Sequence, residues 1–408
     1  MVSGFGAEYD KIVDRWETIT HCTGIDNFRV IGETSFAPLK KVLGRLAGSA
    51  SRADLLVMLS KRAVEAGELR FDSHVVEVEE FSNDKSGGGV RLTLKDGSVE
   101  EFDLVIGCDG KNSKICRHIN PSRKTDHHFA NLCSFYGTIR DDALNFKHPI
   151  LKPHGMVSIM CGRLVFHTYM GGDHVRYWHA ERPVAEDESR QVRPHSWISD
   201  ATTASPKAEV EALISNLPQD HPARELVERT PEDTIVYFGL HAEPSRPAEQ
   251  WHAGRIAVMG DALHPTLPYT GQGANMSIED GFVMANCLVN ADFEPQTAFL
   301  NFRQQRSGKI ESTIKKSLAI GDNFFKAPLW LRELKFKLLH WSKQIPNWQL
   351  KNLMGNACVD VPVDKEYLTQ MKKQEREKKF KLGSALAIAG GFALAALFNS
   401  KRRTVSGS

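Results

Sequence analysis

Residues 254–281 read GRIAVMGDALHPTLPYTGQGANMSIEDG. The segment opens on a short apolar run, Ile256 to Met259, of strand length. It breaks at Gly260-Asp261, passes Pro265 and Pro268, and reaches Gly271-Gln272-Gly273-Ala274-Asn275. A helical pattern follows, with Met276, Ile278, Phe282, Val283 and Ala285 as the expected buried positions. Glycines at the start of a helix let a ligand approach bare backbone N–H groups, and the helix N-terminus adds partial positive charge there. The stretch therefore reads as a strand, a carboxylate, a proline-stiffened turn and a glycine-opened helix aimed at something electron-rich or anionic.

Working outward from it, Leu104-Val105-Ile106-Gly107-Cys108 runs apolar like a buried parallel strand. It delivers Asp109-Gly110 at its carboxyl end, where α/β sheets bind ligands. Ser51-Arg52-Ala53-Asp54 starts a helix that ends at Gly67, with Ser51 as N-cap and Asp54 in the first turn. Residues 74–81 alternate as a strand, and 89–95 and 99–107 flank the Asp96-Gly97 hairpin signal. From about 125 to 245 the segments 133–140, 155–162, 163–170 and 174–181 are rich in Phe, Tyr, Val and Ile and are spaced like antiparallel strands. Residues 206–216 and 221–229 read as short surface helices, and 293–325 as a long helix with Ala298, Phe299, Phe302, Ile310, Ile314 and Leu318 near one face.

The chain has 408 residues, 41% hydrophobic and 25% charged, with a net charge of +2, which gives no electrostatic footprint for a nucleic-acid partner. Its seven cysteines are scattered without a C-x-x-C pair, which argues against a disulfide framework and a structural zinc site and leaves no metal expected from the sequence.

The order G-D-A-x-H-P-x-x-P-x-x-G-Q-G-x-N-x-x-x-E-D from Gly260 to Asp280 resembles the second flavin-binding motif of the FAD-dependent aromatic hydroxylases, the group A flavoprotein monooxygenases. Asp109-Gly110-Lys111-Asn112-Ser113 resembles that family's D-G-x-x-S motif, with Cys116 where an arginine is usual. Arg52 stands in its R-x-x-L. The resemblance implies an α/β, Rossmann-like FAD-binding domain with an inserted, mostly antiparallel β substrate domain and C-terminal helices. It implies FAD as cofactor, NAD(P)H as co-substrate, and O2 and an apolar or aromatic small molecule as partners. Oxygen transfer would pass through a flavin C4a-hydroperoxide. Arg52, Asp109, Asp261, Pro268, Gly271, Gln272, Gly273, Ala274 and Asn275 are the implied cofactor-binding residues. Arg140, Tyr169, Arg176 and Tyr177 are candidates to face the substrate, with Arg140 and Tyr169 the catalytic candidates; His264 is read as structural.

The N-terminus departs from that pattern. Gly4 and Gly6 have the first spacing of G-x-G-x-x-G, but Tyr9 stands in the third position and no apolar strand precedes them. The first βαβ unit, which the family uses for the ADP half of FAD, is expected to be missing, so an impaired or truncated family member is the alternative reading. The expected divisions are 1–124, a partial FAD-binding domain; 125–245, the substrate domain; 246–325, the FAD-binding domain continued; and 326–381, a helical region. Residues 382–398, LGSALAIAGGFALAALF, carry no charge and lie between basic clusters. They read as a C-terminal membrane anchor, a transmembrane helix that would hold a cytosolic catalytic domain at a membrane.

Overall fold

The computed structural model describes residues 6–23, 28–37, 40, 48–67, 69–82, 88–122, 128–140, 146–151, 154–161, 164–172, 174–184, 205–242, 246–325 and 327–341. Helix α1 (Gly6–Ile12) leads into strands β1 (Val13–Arg15), β2 (Thr18–Thr23), β3 (Arg29–Ser35) and β4 (Gly48–Ala50), then helix α2 (Arg52–Ala66). Strands β5 (Val75–Phe81), β6 (Gly89–Leu94), β7 (Val99–Phe102) and β8 (Val105–Gly107) precede helix α3 (Lys114–Ile119). Four long strands follow: β9 (His128–Arg140), β10 (Gly155–Cys161), β11 (Leu164–Met170) and β12 (Val175–Pro183). Helices α4 (Pro206–Leu213) and α5 (Pro222–Arg229) lead to β13 (Val236–Ala242), β14 (His252–Ala253) and β15 (Ile256–Val258). Helices α6 (Gly273–Asn290), α7 (Pro295–Phe325) and α8 (Leu329–Trp341) close the described chain.

Two sheets position everything functional. β8 and β15 lie side by side and parallel, with Val105, Ile106 and Gly107 opposite Ile256, Ala257 and Val258. β15 is buried at all three positions, as an apolar run without alternation requires. Its core gathers Val258, Ala262 and Leu263 with Met276, Val283 and Met284 of α6 and Phe299, Phe302 and Ile314 of α7. The second sheet has seven strands in the order β13-β9-β12-β11-β10-β2-β3, and β2 runs parallel to β10 while its other neighbours pair antiparallel. Strands β2 and β3, from the beginning of the chain, thus complete the sheet built by residues 128–242.

Period-two alternation splits that large sheet into two unlike faces. Phe135, Ile159, Phe166, Trp178 and Ala180 point to one side and pack with Val210 of α4 and Leu226 and Val227 of α5. Those two helices are therefore half core, not plain surface helices. The Trp178 indole N–H donates to Thr230 Oγ1 at 2.8 Å, so the largest buried ring on that side has its polar atom satisfied. The opposite face carries His167, Tyr169, Tyr177, His179 and Glu181.

The helix at Ser51 forms as its caps dictate: the Ser51 hydroxyl accepts from Asp54 N at 3.3 Å, and Gly67 N donates to Ala63 O. In α6 the expected buried positions are corrected. Met276 and Val283 are buried, but Phe282 is 50% exposed and Ala285 is exposed, while Glu279 and Asp280 are buried in their place. The expected Leu318 in α7 is also partly exposed.

The expectation of a transmembrane helix and of a membrane-associated location is also corrected. Among the described residues no helix is long and apolar enough to cross a membrane, and residues 382–398 lie outside them. In the sequence, alanine and glycine make this run only weakly apolar, and seventeen residues stand at the lower limit for a membrane span.

Candidate flavin site

The turn after β15 is fixed by charge buried beneath it. Gly260 has φ +61°, and its N–H donates to Asp280 Oδ2 at 2.9 Å. His264 Nε2 meets the same oxygen at 2.5 Å. Arg306 of α7 donates from Nε to Asp280 Oδ1 at 2.7 Å, from Nη1 to Glu279 at 2.7 Å, and from Nη2 to the Met276 carbonyl at 3.3 Å. Lys309 completes the pairing of Glu279. Burial opposes ionisation of Asp280, but the His264 hydrogen bond, the nearby His264 and Arg306 charges and the Gly260 N–H outweigh it, holding its carboxyl below the usual range. A third staple joins the Ser317 hydroxyl to the Leu267 carbonyl at 2.7 Å. Helices α6 and α7 thus pin the loop at residues 260, 264 and 267, and leave its outer side free.

That outer side is a bare helix mouth. Gly271 has φ +60°, with nothing within 4 Å of where a Cβ would stand. A Cβ at Gly273, the first residue of α6, would meet Thr266 Oγ1 alone, at 3.4 Å. Gln272 occupies the N-cap position without a side-chain capping bond. The Asn275 amide donates back to Gly271 O at 3.2 Å. Unfilled first-turn N–H groups and absent side chains are what a large anionic or electron-rich ligand needs at close range.

Of the expected residues, Asp109 and Asp261 lie just beyond the carboxyl ends of β8 and β15. Met259 N donates to Gly107 O at 3.0 Å, so Asp109 and Asp261 follow neighbouring strand ends. Asp261, Pro268, Gly271, Ala274 and Asn275 are exposed, and Gln272 and Gly273 are half-buried. Asp109 has a structural task as well: its Oδ2 accepts from Lys114 N at 2.7 Å and from Ile115 N at 3.4 Å, closing the start of α3. Arg52 is exposed at the start of α2. Arg140 is exposed at the end of β9, whereas Tyr169 lies on the sheet face that looks back toward the loop. Arg176 faces the other way, buried, and donates to the Leu151 carbonyl at 3.0 Å.

The polar sheet face was not singled out as a unit by the sequence reading. His167 stands opposite His179, Tyr169 opposite Tyr177, and Tyr136 opposite His179 on its other side. Tyr169 stacks on Tyr177 with ring centroids 5.9 Å apart and packs on Trp16, whose indole N–H donates to Ser49 just before α2. Burial pushes the Glu181 carboxyl up to about 8 and the His179 imidazole down to about 4, and it pushes His167 well below its ordinary value. The buried Tyr269 hydroxyl, from the loop, has no hydrogen-bond partner. The missed signal is the alternation itself: Tyr177, His179 and Glu181 are spaced by two, as are His167 and Tyr169.

Residues 44–292 match the model of the FAD binding domain family. The chain belongs to the FAD-dependent aromatic hydroxylase family. Relatives within the family include the 6-hydroxynicotinate 3-monooxygenase of Bordetella bronchiseptica, 28% identical over 67% of this chain, and a salicylate hydroxylase of Pseudomonas putida, 26% identical over 76% of it. The match spans 64% of the Bordetella protein, less than two thirds, and 71% of the Pseudomonas one. Among solved structures, Klebsiella pneumoniae HpxO complexed with FAD and uric acid superposes with a TM-score of 0.70 over 86% of this chain and 83% of that one, at 20% identity. A salicylate hydroxylase substrate complex superposes with a TM-score of 0.63 at 22% identity, over 85% of this chain and 83% of that one. The mixed α/β fold of the family is therefore present. The uncapped mouth of α6 and the bare Gly271 and Gly273 suit an electron-rich or anionic group such as FAD carries, and the strands that lead to it, β8 and β15, run parallel.

Proposed function

We propose that this chain acts as an FAD-dependent monooxygenase on an apolar or aromatic small molecule, with NAD(P)H as reductant and O2 as co-substrate. The observation that carries the reading is the glycine-opened, uncapped N-terminus of α6, held by buried charge at the ends of two parallel strands. When bound, the flavin would supply the redox and oxygen chemistry, as cofactors do. The protein's part is to bind, orient and exclude water.

Gly271 to Asn275 would offer backbone N–H groups and the positive helix end to the electron-rich ring, favouring negative charge there. Asp261, Asp109 and Arg52 would hold the ribityl and phosphate parts. Tyr169 would face the substrate from the sheet that closes the site against water. A nucleophilic side chain is not required by this chemistry. Arg140, exposed at its strand end, has the weaker geometric support.

One observation favours the second reading, a family member that holds FAD weakly. Strands β2 and β3 are committed to the large seven-stranded sheet, and among the described residues β8 and β15 have no third parallel neighbour.

Titration of the purified chain with FAD, followed by desalting and NAD(P)H oxidation with a panel of aromatics, tests both. Retained flavin with substrate-stimulated NAD(P)H oxidation is the expected result. FAD that binds in the titration but is lost on desalting would favour the weak-binding reading, and no binding at any FAD concentration would remove the proposal.

A further inference from the structure

We propose that His167, His179 and Glu181 form a binding site for one divalent transition cation of the zinc class, held on the large sheet. The three side chains come from two adjacent central strands. His179 and Glu181 are two residues apart on β12 and so share a face, and His167 of β11 is directly opposite His179. Their ligand atoms all lie within 4.8 Å of one another. His167 Nε2 is 3.9 Å from Glu181 Oε2, and His179 Nε2 is 3.8 Å from Glu181 Oε1. Bond lengths of ~2.0–2.2 Å to nitrogen and oxygen bring ligands to roughly 3.5 Å apart, so small side-chain rotations suffice.

A second, independent observation points to a ligand. Glu181 Oε2 and His167 Nδ1 are buried without a hydrogen-bond partner. A buried carboxylate without a counter-charge is strongly disfavoured. The register neighbours on this face supply no lysine or arginine: Glu181 lies between Val165 and Ser134, His179 between His167 and Tyr136, and His167 between Ser158 and His179. Arg182, the next residue along β12, points to the other face and pairs with Glu209 at 3.0 Å. A dication meets the need that these neighbours leave open.

Two imidazoles and one carboxylate suit zinc, cobalt or iron in the divalent state better than calcium or magnesium, which prefer all-oxygen sets. Three protein ligands also leave a coordination position open, as in exchangeable rather than closed structural sites. The inference stands on the sheet alone and does not depend on flavin binding.

The test uses the full chain, stripped with a chelator, desalted and dialysed against Zn2+ alone, with metal analysis of the protein. One zinc per chain is expected, with affinity falling at least tenfold in His179→Gln and in Glu181→Gln. His154→Gln, which removes an exposed imidazole elsewhere, should retain it. Equal zinc in wild type and in both ligand variants, or none in the wild type, would overturn the proposal. Should the variants not fold, Co2+ added to the wild type still decides. Visible d–d bands of a tetrahedral site without a thiolate charge-transfer band support it, and a spectrum of hexaaquo cobalt refutes it.

Discussion

At the residue scale, two buried carboxyls are driven in opposite directions, and the signs of their effects differ. Asp280 has its folded-state carboxyl held below the unfolded value, so it contributes stability above about pH 4, lost as pH falls through the folded value. Asp280→Asn should therefore flatten the acid limb of a stability-against-pH curve, read from urea midpoints. Asp280→Ala, which strands Arg306 beside Glu279 and removes the partner of His264 and of Gly260 N, should cost about 3–5 kcal/mol near neutrality. Glu181 is the reverse case. Its carboxyl is raised from 4.5 to about 8 by burial. The favourable balance is complete below the unfolded value and is lost as pH rises toward 8. In the chelated, metal-free protein Glu181→Gln should gain stability over wild type between those limits, by a few kcal/mol at about 1.4 kcal/mol per unit, and the gap should stop widening above them. A constant gap across that range would contradict the buried, uncompensated carboxyl.

At the element scale, α6 shows what a sequence can and cannot disclose. Its start was legible because glycines, prolines and a following apolar run act locally; so were the Ser51 cap, the Asp96-Gly97 hairpin and the parallel character of the strand at 105–107. Its buried face was not. Periodicity treats Phe282 as core and Asp280 as surface, yet Arg306 lies opposite Asp280 and turns that side of the helix inward. A charged core needs its partner from another helix, and one helix read alone cannot supply it. The cluster on β11 and β12 stayed hidden for a related reason, since strand register pairs His167 with His179 and no sequence distance records it. The same helix yields a clean separation of fold from binding. Gly273 has room for a methyl group, and alanine is the better helix former by about 1 kcal/mol. Gly273→Ala should thus leave the melting temperature equal or higher, while FAD affinity falls at least several-fold because the methyl stands where the ligand would approach. Unchanged FAD affinity would count against the mouth of α6 as the ring site.

At the scale of the whole molecule, two large cores among the described residues meet at a smaller one. One surrounds β8, β15, α6 and α7; another lies between the large sheet and α4 and α5. Between them Leu132, Leu240 and Leu267 pack together with Tyr269 and Phe325 in contact. Leu267 belongs to the loop that would cradle flavin, whereas Leu132 and Leu240 belong to the large sheet, so binding on one side has a packed route to the other. A ligand at a hundredfold its dissociation constant adds about 2.7 kcal/mol to the folded state. If this cluster couples the cores, FAD should shift one calorimetric transition that contains both. Leu267→Ala removes buried contacts worth about 2–5 kcal/mol and should split that transition, with FAD then moving only the part containing α6 and α7. A wild-type protein that already melts in two steps, with one indifferent to FAD, would mean that the cores act separately and that the large sheet meets the flavin only as a wall.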